Sequence, residues 1–202
     1  MEPIPEMYKA AELLSNAVDA VMRKEISLAA ELIAEADMVE LEIHNAMIAG
    51  SVSVEIHRFR EIPNAPRVEK TKSRMPPHNV EMSIYERDGW HCRFCNVPVV
   101  SKDVRKRLNK LFPDVARWGR KNIEKHRGLS ILESSLDHLI PHNRGGGNSP
   151  ENLVTACGPC QFGRGGWTID EVGISDPFTR DPIVDEWDGL RRLLRCDAAA
   201  NV

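Results

Sequence analysis

Leu136-Asp137-His138-Leu139-Ile140-Pro141-His142 leads through Gly145-Gly146-Gly147-Asn148 to Glu151-Asn152-Leu153, and the run closes at Cys157-Gly158-Pro159-Cys160. Its first part is strand-like, which sets Asp137 and His138 on opposite sides of the backbone. Pro141 and the glycines force a turn, and Asn152 opens a further segment leading into the cysteines. One of the two side chains can then hold a metal while the other faces a substrate. A neutral His beside a carboxylate-bound divalent ion is equipped to activate water on a phosphodiester. Taken singly, each His is more often a surface or satisfied core residue. The order and closeness of the whole set argue for chemistry.

Outward from this run, a second pair, Cys92-Arg93-Phe94-Cys95, repeats the spacing of Cys157 and Cys160, with 61 residues between the pairs. A C-x2-C turn folds its second sulfur back beside the first, so two such turns supply four soft ligands for one tetrahedral zinc. A redox dithiol or unrelated thiols are the alternatives; two pairs of equal spacing favour structural Zn2+ on Cys92, Cys95, Cys157 and Cys160. Cys196 reads as an ordinary free thiol.

The rest of the 202-residue chain divides by charge and pattern. Residues 1–57 carry 3 Lys/Arg against 11 Asp/Glu, residues 58–127 carry 18 against 8, and residues 128–202 carry 6 against 11. The basic middle is a footprint for a polyanion or, more plainly, a solvated basic helix. Apolar spacing predicts two helices over residues 7–49, the second capped by Ser27 and stopped at Gly50. They form an acidic hairpin (domain 1–56). Pro63, Pro66, Pro76 and Pro77 among basic residues make 57–80 an extended linker. A short helix near Met82–Arg87 and a tight turn at Asp88-Gly89 precede the first cysteine pair. A basic helical segment comes next, divided at Pro113, with 10 Lys/Arg against 3 Asp/Glu over residues 101–127. Thr168 and Glu171 fit a capping box, and 186–195 suggests a last short helix. No apolar run approaches the roughly 18 residues of a membrane span, and no secretory signal opens the chain. Cytoplasmic residence is the default expectation.

The combination Cys92-x2-Cys95, Asp137-His138-x2-Pro141, Gly145-Gly146, Asn152-Leu153 and Cys157-x2-Cys160 resembles the His-Asn-His (HNH) endonucleases of the ββα-metal class over about residues 82–166. The tail 167–194 also resembles the segment C-terminal to this domain in bacterial stand-alone members. The resemblance implies an α+β fold. A small ββα core with structural zinc (81–167, with a basic insertion over 101–130) would be flanked by the helical hairpin and a helical tail (168–202).

It also implies roles. His138 would be the general base, Asp137 would ligate a catalytic Mg2+ or Mn2+, and Asn152 would lock the loop and orient His138. Products would carry 5′ phosphate and 3′ hydroxyl ends. The family's second metal ligand is Asn or His directly after the last Cys; here it is Gln161, a hard donor one methylene longer. Arg164 matches a basic family position that could contact phosphate.

From the residues alone, Arg144 reads as a phosphate contact or a solvated loop residue, and His142 as a neighbour of the site. Arg105, Lys106, Arg107, Arg120 and Lys121 would track a nucleic-acid backbone, DNA first, without reading sequence. Trp118 would stack on a base or, more simply, be buried under its helix. The N-terminal helices could pair two copies or dock a protein partner; no membrane is expected. The competing reading is a non-catalytic, zinc-stabilised nucleic-acid-binding module, and Gln161 favours it.

Overall fold

The computed structural model describes residues 2–48 and 73–195. Expectations for Gly50, for most of the 57–80 linker and for Cys196 fall outside them. The described elements are α1 (Pro5–Met22), α2 (Ile26–Glu35), α3 (Val39–Ile48), α4 (His78–Arg87), α5 (Lys102–Leu111), α6 (Arg127–Ile131), β1 (Ser135–His138), β2 (Leu153–Ala156) and α7 (Gly158–Arg164). The fold is α+β, with one two-stranded antiparallel sheet set among helices. No described helix is long and apolar enough to cross a membrane.

β1 and β2 pair so that Asp137 faces Val154 and His138 faces Leu153. α7 follows β2 after one residue, with Pro159 in its first turn, where a missing N–H costs nothing. Sheet and helix together make the small ββα unit. The first cysteine turn joins it through the backbone: Arg93 N–H donates to Thr155 O at 2.8 Å. Asp88 is not merely a turn former. It is buried, accepts from the Thr155 amide at 2.8 Å and pairs with the Arg87 side chain, which ties the end of α4 to β2.

Residues 5–48 form three helices, where two are expected over 7–49. The chain breaks at 36–38 because Asp37 has distant partners. Its carboxylate accepts from the Arg127 amide at 2.7 Å and pairs with the side chains of Arg117 and Arg127. These bonds outweigh the few tenths of a kcal/mol per residue that helix propensity contributes. Ser27 is not the cap of α2 either. The helix starts after Glu25 with no side-chain cap, because Lys24 reverses the chain at positive φ.

The acidic helices lie against the basic middle through these pairs and through Arg127–Glu42 at 2.8 Å. His126 is buried and closes the joint: its Nε2 donates to Ile33 O at 2.7 Å while its Nδ1 accepts from the Leu129 amide at 3.0 Å. Gly128 permits the approach, since a Cβ there would lie 2.5 Å from Ala36 O. One buried apolar cluster accordingly runs from Met7 in α1 to Leu193 in the tail. Val39, Ile43 and Met47 of α3 stay exposed.

Two further expectations change. The basic segment is helical only over α5 and again at a short turn, 122–124, and at α6; Phe112-Pro113 ends α5. The tail is largely irregular, with short 3-10 turns at 177–179 and 191–195 in place of a helix. Gly189 and Leu190 both take positive φ there, which an α-helix cannot accommodate. Thr168 and Glu171 do exchange capping-box hydrogen bonds, at 2.9 and 3.3 Å, but they close a turn.

Candidate active site and cysteine cluster

The four cysteines of the two C-x2-C turns converge. Their sulfurs all lie within 4.8 Å of one another, and Cys95 Sγ is 3.7 Å from Cys157 Sγ. Zinc–thiolate bonds of about 2.3 Å in a tetrahedron put the sulfurs about 3.8 Å apart, so the group fits the ion. All four are buried. Met7 of α1 and His44 and Ile48 of α3 line the space beside them. The N-terminal helices thus close over the cluster.

The ββα unit also lines a cleft of about 570 Å³, whose residues include Asp137, His138, Pro141, His142, Gln161 and Phe162. The turn that shapes it is clamped by Asn152. Its amide oxygen accepts from the Ile140 amide at 2.8 Å, and its Nδ2 donates to Ile140 O at 3.1 Å and Gly147 O at 2.9 Å. Gly146 is required by this packing, since a Cβ would meet Ile140 O at 1.7 Å.

The hydrogen bond on the His138 ring comes from Asn148, a residue quoted in the motif but given no role. His138 Nε2 and Asn148 Oδ1 are 2.9 Å apart, while Asn148 Nδ2 donates to Ser73 O at 2.9 Å. The carbonyl of Ser73 can only accept, which assigns the Asn148 amide oxygen to the ring. His138 therefore carries its proton on Nε2 and keeps the Nδ1 lone pair. Burial lowers the His138 pKa below its ordinary 6.5, helped by the charges of Arg74 and Arg164 and opposed by the Asn148 bond. Its surroundings thus favour the neutral imidazole. Arg74 and Met75, just beyond Ser73, wall the cleft. Nothing in a proline-interrupted linker pattern announces that.

Asp137 meets a partner not foreseen. Arg164 is 1% exposed and grips the carboxylate with both arms, Nε to Oδ2 at 2.9 Å and a terminal nitrogen to Oδ1 at 2.5 Å. Its remaining donors go to the carbonyls of His138, Leu139 and Trp167. The phosphate contact expected of Arg164 is therefore corrected: the guanidinium is spent inside the fold. Burial raises the Asp137 carboxyl to about 6, with Arg164 pulling the other way. A carboxylate has about four lone-pair sites, so the Arg164 bonds and a backbone bond from His138 leave Asp137 capacity for a further partner. Gln161 donates from Nε2 to Leu136 O at 3.2 Å, which turns its Oε1 away from that carbonyl. Asp137 and Gln161 thus bring two hard oxygen donors to one cleft, a set that suits a divalent cation completed by phosphate and water.

The expected backbone contacts divide. Arg144 pairs with Glu171 at 2.9 Å and lies over the Trp167 ring. Arg105 pairs with Glu133 at 3.2 Å and stacks on Trp118 at 4.0 Å, so that ring is half-covered by a cation. Arg120 and Lys121 are exposed, Lys106 is exposed beside Asp103, and Arg107 is half-buried. His142 sits near His138, ring centroids 6.0 Å apart.

Residues 122–161 match the HNH endonuclease family. No curated protein and no solved structure shows a match. The chain therefore carries an HNH endonuclease domain, with β1, β2, the clamped turn and the second cysteine pair inside the matched span. The match lies at the level of the domain and covers 40 of the 202 residues.

Proposed function

We propose that the chain is a divalent-cation-dependent endonuclease that hydrolyses phosphodiester bonds in DNA. The observation that carries this reading is His138, its Nε2 proton committed to Asn148 and its Nδ1 left with a lone pair, in one cleft with Asp137 and Gln161. His138 Nδ1 takes the proton from a water molecule as that water attacks phosphorus. The bond to the 3′ oxygen breaks, and the departing oxygen takes a proton from solvent water, leaving 3′ hydroxyl and 5′ phosphate ends. Asp137 and Gln161 would hold a divalent cation, which would supply charge neutralisation at the phosphate. Asn152 keeps the turn in place and Asn148 keeps the His138 tautomer. The four cysteines would hold Zn2+, which would tie the two cysteine segments together and take no part in the step.

The test is cleavage of supercoiled plasmid with Mg2+, Mn2+ or chelator, beside His138→Ala. Metal-dependent nicking or linearisation is expected, reduced about 10²–10⁴-fold by the substitution. Wild-type activity should rise with pH through a midpoint below the ordinary imidazole value of 6.5. Asn148→Asp should move that midpoint upward, because a carboxylate on Nε2 favours the imidazolium. The binding-module reading is favoured by Gln161 and by the Arg164 grip on Asp137. Retarded but uncut plasmid, with folded, zinc-loaded protein, would establish it instead.

A further inference from the structure

We propose that Phe162 is a stacking platform for an unpaired base of the bound strand. The proposal rests on the nuclease reading and narrows its substrate to strands that expose a base face. Phe162 is 65% exposed in the middle of α7, between Cys160 and Arg164, both almost fully buried. Those two anchors on one short helix leave the ring no way inward. Among the described residues no ring or cation stacks on it, whereas exposed Phe178 has the Arg87 guanidinium 5.1 Å from its centroid.

Its position gives the exposure a use. Phe162 lines the His138 cleft and also a second cleft of about 360 Å³ that reaches Lys102. The ring stands where the two meet, next to Gln161. Arg74 lines both clefts as well. The acids of these walls, Asp137 and Glu133, are already paired by Arg164 and Arg105, so Arg74 is not cancelled by them. A polyanion strand drawn along the pair of clefts must cross the Phe162 ring. Stacked duplex hides its base faces; an unpaired base offers one, and aromatic stacking accepts any base.

The experiment measures binding by the full-length, zinc-loaded protein without added Mg2+ or Mn2+, so that cleavage is not the readout. The probes are a single-stranded oligonucleotide carrying 2-aminopurine and its matched duplex, followed by anisotropy and by 2-aminopurine quenching. Phe162→Ala should weaken single-strand binding at least about fivefold, the lower end of stacking at one base, and abolish the quenching. Phe162→Tyr should restore both. Duplex affinity should change little. The exposed position makes misfolding a minor concern, and zinc content with the thermal midpoint checks it. Unchanged single-strand affinity and quenching in Phe162→Ala overturns the proposal, as does an equal loss on duplex, which signals a wedge between paired bases. If Phe162→Ala binds as wild type while plasmid cleavage persists, only the stacking role fails. If stacking is seen but no metal or pH gives cleavage, the nuclease reading fails, and Phe162 is a stacking residue of a binding module that does not cut.

Discussion

The cysteine cluster and the His138 cleft share α7, yet they are built differently. The cluster gathers four like side chains from two C-x2-C segments, one a turn and the other the start of α7, and shuts them from water. The cleft gathers unlike side chains from 73–75, β1, the clamped turn and α7, and each key group is held by a different kind of partner. A structural centre requires only that its ligands converge. A reactive centre requires one group with a lone pair to spare, surrounded by neighbours whose own bonding is complete. Asn148 meets that requirement for His138, and Arg164 for Asp137.

The largest effect should come from the cluster. Cys157→Ser, or exhaustive chelation, should remove bound zinc and abolish the cooperative thermal transition. Structural zinc in small folds is worth about 10–16 kcal/mol in apparent terms, comparable with a whole domain's stability of about 5–15 kcal/mol. Metal content and circular dichroism check it. A metal-free protein that still melts cooperatively and cleaves plasmid would show that the cleft stands without the cluster.

The cleft's inner support should come next. Arg164→Ala strands the buried Asp137 carboxylate and should cost about 3–5 kcal/mol in urea denaturation. The double variant with Asp137→Asn should be more stable than Arg164→Ala alone, because no unpaired charge remains. A single variant as stable as wild type would mean that the pair contributes nothing to holding β1 against α7.

The smallest effect concerns the helical layer that closes the cluster side. Burial lowers the pKa of His126, and both its ring nitrogens are already used. Protonation would set Nδ1–H against the Leu129 amide. The unfolded chain takes up the proton below about pH 6.5 before the folded one does, so stability should fall as pH drops through that value. His126→Phe should cost about 1–3 kcal/mol at pH 7.5 through the stranded Ile33 carbonyl, and should flatten the dependence around pH 6. Denaturant titrations at several pH values test this. An unchanged slope would place the acid sensitivity elsewhere.

The two regions also differ in how far they can be read in the chain. The cysteine pairs were legible because each C-x2-C is a local device whose meaning does not depend on the rest of the fold. The strand–turn–strand frame was legible too, from Pro141, the glycines and Asn152. Asn148 was visible but silent, since its role needs Ser73, 75 residues away in sequence. Arg164 looked like a surface cation because nothing in a seven-residue helix says which side is buried. The N-terminal break at Asp37 was hidden for the same reason: its partners are Arg117 and Arg127.

By itself the sequence determined the residue types of both centres, their order, and the opposition of acidic helices to a basic middle. These come from spacing and composition, which act over a few residues or over whole segments. Tertiary structure alone decided which charges are spent inside and which face solvent. It buried Arg164 with Asp137, gave Arg144 to Glu171, left Phe162 bare between two clefts, and chose the nitrogen of His138 that keeps its lone pair. Desolvation and hydrogen-bond geometry set those outcomes, and both depend on neighbours that only the folded chain brings together.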